Sequence, residues 1–147
     1  MKIINNDYGF SFEVGDAYTE IKKSDYKKFH LEESTLHVFT KLEGKTPKSI
    51  SIIRDDECPQ DSQYLQLIQL NINNMQKMGM EILNRSFITA ENGRRIDKTI
   101  CVFKDLKFCV YFTRVKNILI SASIVINADR DKNEVELYNI FASIREL

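Results

Sequence analysis

Hydrophobic and polar residues alternate with a period of two through most of the chain's second half. Ile96, Ile100 and Val102, with Lys98 between them, oppose Arg95, Asp97, Thr99, Cys101 and Phe103. Further on, Ile118, Ile120, Ala122, Ile124 and Ile126 oppose Leu119, Ser121, Ser123 and Val125. This is the signature of strands lying on a core, and the density of β-branched and aromatic residues suits a pleated surface. The pattern predicts long strands at Glu81–Ala90, Arg95–Lys104 and Lys107–Asn127, the last folding back at Lys116-Asn117. Glu91-Asn92-Gly93-Arg94 carries the Asn-Gly hairpin signal, because both central residues can adopt positive φ at low cost. Asp105-Leu106 marks a second turn. The weaker face holds Cys101, Phe103, Leu119 and Val125, so a cover is expected over part of both faces.

In the first half, Tyr8, Phe10, Phe12 and Val14 alternate with Gly9, Ser11 and Glu13 and predict a first strand. Residues 17–29 read as an irregular loop with at most one helical turn. Leu36–Leu42 and Ser49–Arg54 read as strands on either side of Gly44-Lys45-Thr46-Pro47. No ladder pairing is expected at Pro47, which lacks an N–H. Asp55-Asp56-Glu57-Cys58-Pro59-Gln60 reads as an acidic loop. Tyr64, Leu65, Leu67, Ile68, Ile72, Met75 and Met78 then follow helical spacing, with Asp61 or Ser62 as cap and Gly79 as terminator. A last helix carries Val135, Leu137, Tyr138, Ile140, Phe141 and Ile144, with Asp131 and Glu134 placed as a capping box. The fold class is α+β, an antiparallel β-sheet flanked by helices in an α/β/α sandwich, in the order βββ-α-ββββ-α.

The 147 residues suit one domain, residues 1–147. A domain of this size buries roughly 68–70% of its unfolded surface and needs neither metal nor disulfide to fold. Twenty-one basic residues balance 21 acidic ones, which disfavours a broad nucleic-acid-binding face. No apolar run approaches the ~18 residues of a membrane span, and the first residues lack a signal-peptide core. No membrane insertion and a cytoplasmic location are therefore expected. The odd count of three cysteines, without CxxC spacing, argues for reduced thiols. A Cys101–Cys109 cross-strand bridge is the alternative.

Several segments together resemble the PsbP-like fold, which includes the Mog-like and DcrB-like proteins and the Eag-type chaperones. They are Tyr8-Gly9-Phe10-Ser11-Phe12-Glu13-Val14, the strand and Gly-terminated helix from Ser49 to Gly79, Ile82-Leu83 leading to Asn92-Gly93-Arg94-Arg95-Ile96, and Phe141-Ala142-Ser143-Ile144 near the end. Tyr18 stands near the position where members usually have Trp, and the usual Pro is missing. The resemblance implies an antiparallel sheet between helices and a module that holds another protein, usually without catalysis.

Catalytic motifs do not stand out. His30 and His37 lie in neither a triad nor an HExxH context, and GxSxG, P-loop and GxGxxG patterns are absent. No catalytic residue, metal or cofactor is expected. Candidate partner-binding residues are the carboxylates Asp55, Asp56 and Glu57 and the arginines Arg94 and Arg95 at the hairpin tip. Met75, Met78 and Met80 could form core or a pliable groove. The expected function is a protein-binding or chaperone-like module. The alternatives are a small-ligand binder or enzyme with a pocket between sheet and helices, and an immunity or accessory protein acting on a toxin or effector.

Overall fold

The period-two segments of the second half form the central sheet, whereas the alternating segment around Phe10–Glu13 pairs in a second, smaller one. The computed structural model describes residues 1–147 apart from the side chain of Thr46. Ten strands and two α-helices follow in the order β1 (Lys2–Asn5), β2 (Phe10–Glu13), β3 (Thr19–Glu20), β4 (Thr35–Glu43), β5 (Thr46–Glu57), α1 (Tyr64–Lys77), β6 (Glu81–Thr89), β7 (Arg95–Phe103), β8 (Leu106–Val115), β9 (Ile118–Val125), α2 (Arg130–Ala142) and β10 (Arg145–Glu146). Seven strands make one antiparallel sheet in the order β3-β4-β5-β9-β8-β7-β6, and β1-β2-β10 make a small second sheet. The fold is α+β. The expected order is present, with the short strands β1, β3 and β10 added to it.

The alternation decides which helix covers which face. Ile96, Ile100, Cys109, Tyr111, Ile118, Ile120, Ala122 and Ile124 point one way, into a core with Leu137, Ile140 and Phe141 of α2 and Phe10 and Phe12 of the small sheet. Tyr111 and Phe141 meet edge to face there, ring centroids 5.7 Å apart. Phe112 and Leu119 point the other way, into a smaller core with Cys58 and with Tyr64, Ile68 and Ile72 of α1. Cys101 and Cys109 fall on opposite faces, because Cys101 stands against Phe108 and Ile100 against Cys109. A bridge between them is therefore ruled out; all three thiols are free and buried.

A charged network seals the α2 face. Glu136 of α2 receives Lys48 Nζ at 2.6 Å, Lys41 Nζ at 2.9 Å and the Tyr18 hydroxyl. Burial alone would raise the Glu136 carboxyl, but these hydrogen bonds outweigh it and bring the pKa down to about 2.

Local chemistry departs from expectation at several points. β5 continues through Asp55-Asp56-Glu57, so the acidic stretch is strand and not loop. Pro47 does pair, opposite Leu42. In the hairpin closed by Glu43 and Thr46 it occupies a position that asks β4 for no N–H. The β9 pairing begins only at Ile52, so no second neighbour needs one either. A 3₁₀ turn at Asp61–Gln63 precedes α1, and Gln60 with Gln63 forms the capping box in place of Asp61 or Ser62. Asp129, in the left-handed region before α2, makes no side-chain cap hydrogen bond among the described residues. Residues 17–29 are more regular than expected, with β3 and a 3₁₀ helix at Lys23–Phe29. Gly93 alone takes positive φ at the β6–β7 turn (84°), while Asn92 does not. Among the described residues, no helix is long and apolar enough to cross a membrane.

Candidate functional site, an arginine cleft

The β6–β7 turn, the end of β8, the start of α1 and the C-terminal strand meet at one end of the sandwich. They enclose an open cleft of about 610 Å³. Arg94, Arg95, Arg114 and Arg145 line it, against two acids, Asp61 and Glu146.

Pairing brings the arginines together. Asp97 stands opposite Phe112; continuing that antiparallel register by two residues sets Arg95 across from Arg114. β10 adds Arg145 by pairing with Ser11 of β2. The hairpin tip is tied to this segment by Asn92 Nδ2, which donates to the Ile144 carbonyl at 3.3 Å. The Lys116 N–H donates to Glu146 Oε1 at 2.7 Å and fixes the C-terminal strand to the β8–β9 turn.

Three of the guanidiniums spend their hydrogen bonds on backbone carbonyls. Arg94 Nη1 donates to the Arg114 carbonyl at 2.7 Å. Arg114 donates from Nε to Cys58 at 2.8 Å and from Nη2 to Pro59 at 2.9 Å, with the exposed Asp61 only at 3.8 Å. Arg145 Nη1 donates to Ile144 at 2.9 Å and Ala142 at 3.1 Å. A carbonyl orients a guanidinium without cancelling its charge. Arg95 differs: its Nε is 2.9 Å from Asp97 Oδ1, and its guanidinium carbon lies 4.0 Å from the Phe87 ring centroid. Arg94 Nε is buried without a hydrogen-bond partner among the described residues. Burial pushes the Arg94 guanidinium below its usual value, with Glu146 opposing that and Arg145 adding to it. On the floor, the Tyr64 hydroxyl sits 2.9 Å from Asp97 Oδ1 and 3.1 Å from the Phe112 carbonyl. Such a set is suited to holding carboxylates or other anions, in the planar fork geometry arginine offers.

The five sequence candidates separate. Arg94 and Arg95 join the cleft. Asp56 and Glu57 are exposed near the same end, where Glu57 pairs with Ile118 beside the β8–β9 turn. Asp55 is turned inward, under α1. Sequence reasoning missed Arg114 and Arg145. The β7–β8 register could have found Arg114. Arg145 carried no local signal, because its position depends on a strand pairing 134 residues away (Arg145 with Ser11).

His37 is a structural residue. Its Nδ1 is 2.9 Å from Glu20 Oε1 and its Nε2 is 3.0 Å from Asn5 Nδ2, so both ring nitrogens have partners. Phe12 and Phe39 pack against it. His30 is exposed and closes the 3₁₀ helix in the left-handed region.

No protein-family model and no curated protein matches the chain. Among solved structures, a crystal structure from Bacteroides thetaiotaomicron superposes with a TM-score of 0.48 at 14% identity. The match covers 99% of this chain and 48% of that one, so the chain spans about half the length of its structural neighbour.

Proposed function

We propose that this protein is a non-enzymatic binding module that holds an acidic segment of a partner protein in the arginine cleft. The observation that carries the reading is the use of backbone carbonyls to orient Arg94, Arg114 and Arg145. Their positions are fixed while their charge stays available to an incoming carboxylate. The surface continues onto β6, an edge strand of the large sheet, where Phe87 and Leu83 are exposed. An extended partner segment could add to that edge by main-chain hydrogen bonds, its acidic residues reaching the cleft past Arg95. The resemblance to PsbP-like proteins supports the same reading, since holding another protein is what recurs among them. A chaperone-like role and an immunity or accessory role toward a toxin or effector use this chemistry with different partners.

The test is titration of the isotopically labelled protein with an oligoglutamate peptide, and with an oligoglutamine control, followed by NMR. Shifts confined to the cleft and β6, present with glutamate only and fading as salt rises, are expected. Arg94→Glu with Arg145→Glu should remove them. Equal binding by this double variant, or no response around Arg94 and Arg145 at low salt, would overturn the reading.

A further inference from the structure

A second cavity, of about 210 Å³, lies between α1 and the sheet. Its geometry originates in β5. Arg54 pairs with Ile120 and Asp56 with Leu119, so Asp55 between them is the extra residue of a β-bulge. Asp55 follows Ile53 on the α1 side of the strand, and its carboxylate faces the cavity with Met75, Met80, Phe108 and Phe112. Asp55 Oδ2 is buried and has no hydrogen-bond partner among the described residues.

The protein offers this carboxylate no cation. Among the described residues, no lysine, arginine or histidine lines the cavity, and its other polar groups are Asn71, Ser121 and Ser123. Asn71 donates its Nδ2 hydrogen to the Leu67 carbonyl at 3.0 Å, which leaves its amide oxygen as an acceptor. A buried acceptor without a donor opposes folding unless something supplies one. The volume also limits the ligand: an apolar cavity of about 150 Å³ accommodates benzene, so this one has room for a ring and a short chain. Methionine side chains adapt readily to such a guest.

We propose that this cavity binds a small arylalkyl amine, its ammonium against Asp55 and its ring between Met75, Met80, Phe108 and Phe112. The site is independent of the arginine cleft. Burial, reinforced by Asp56 and opposed by Ser121, pushes the Asp55 carboxyl up to about 6. The titratable groups facing it are Asp56 on its own strand and Cys101 on β7, while α1 contributes only the uncharged Asn71 and Met75. Ammonium binding therefore strengthens as pH rises through about 6. It weakens about tenfold for each unit below that, as the ionised fraction falls.

The experiment is calorimetric titration of the full chain with phenethylamine, and with phenethyl alcohol as an uncharged analogue, at about pH 7.5 and about pH 5. Expected are amine binding at the higher pH, at least tenfold loss at the lower, and weaker binding of the alcohol. Asp55→Asn should keep the fold and lose the amine. Amine binding that survives Asp55→Asn, equal affinity for amine and alcohol, or no amine binding at either pH would overturn the proposal. The Arg94→Glu/Arg145→Glu variant should bind the amine unchanged, so failure here is distinguishable from failure of the cleft reading.

Discussion

The two faces of the seven-stranded sheet are covered to different depths. On the α2 face, a helix and a second sheet enclose a continuous core, and the charges that enter it meet partners: Glu136 holds Lys41 and Lys48. On the α1 face, one helix buries only Tyr64, Ile68 and Ile72, leaves Leu65 and Leu70 exposed, and stands over a cavity containing a carboxylate oxygen unpartnered among the described residues. The difference separates two tasks. The α2 face holds the larger core. The α1 face and the arginine end retain charge and space, which are what a ligand or partner needs.

Substitutions on each side can break or sharpen that contrast. The largest effect is expected for Phe141→Ala. Its ring is fully buried against Tyr111, and the loss should be about 3–5 kcal/mol by denaturant unfolding. A loss no larger than that of an exposed α1 residue would erase the distinction. Next is Glu136→Gln, which takes from the near-buried Lys41 and Lys48 their nearer carboxylate and leaves them Glu43 at 3.2 and 3.7 Å; it should cost roughly 1–2 kcal/mol. This site also has a pH signature. Its folded pKa, about 2, lies below the ordinary 4.5, so its contribution is complete above about pH 4.5. It is lost as pH falls toward about 2, because the unfolded state then binds the extra proton. Acid melts of the wild type and Glu136→Gln should converge over that window; parallel curves would mean the carboxylate is not held as described.

Gly93→Val tests the β6–β7 turn, which belongs to neither face. Nothing lies within 4 Å of an added Cβ, but φ is +84°, so backbone strain alone should cost about 1 kcal/mol or more. An unchanged melting temperature would contradict the turn geometry. The smallest effect is expected for Leu65→Gln on the outer side of α1, which is half exposed and should shift stability by no more than about 0.5 kcal/mol. A larger loss would mean that α1 is packed more deeply than its exposure indicates.

Different parts of this molecule were legible in the sequence to different degrees. Period-two alternation placed β7 and β9 with their faces sorted, β8 was placed as a strand between them, and helical spacing placed α1 and α2. These patterns survive because each residue's side is fixed by its immediate neighbours. Arg94 and Arg95 were visible as a charged pair at a hairpin tip. Asp55-Asp56-Glu57 was visible as an acidic run but taken for a loop, since consecutive charges resemble solvated chain more than the end of a long strand.

What the sequence determined on its own was the alternation, the β6–β7 and β8–β9 turns and the helical stripes, all set by interactions a few residues apart; the β7–β8 turn falls one residue earlier than expected, at Lys104-Asp105. The tertiary structure decided the rest. Pairing of Arg145 with Ser11 carried a fourth guanidinium to the cleft, the β5–β9 register made Asp55 a bulge, and the unequal covers left one face with room beneath its helix. Each depends on which distant strands become neighbours. That choice follows from burying the whole apolar surface at once, and no local window of the chain contains it.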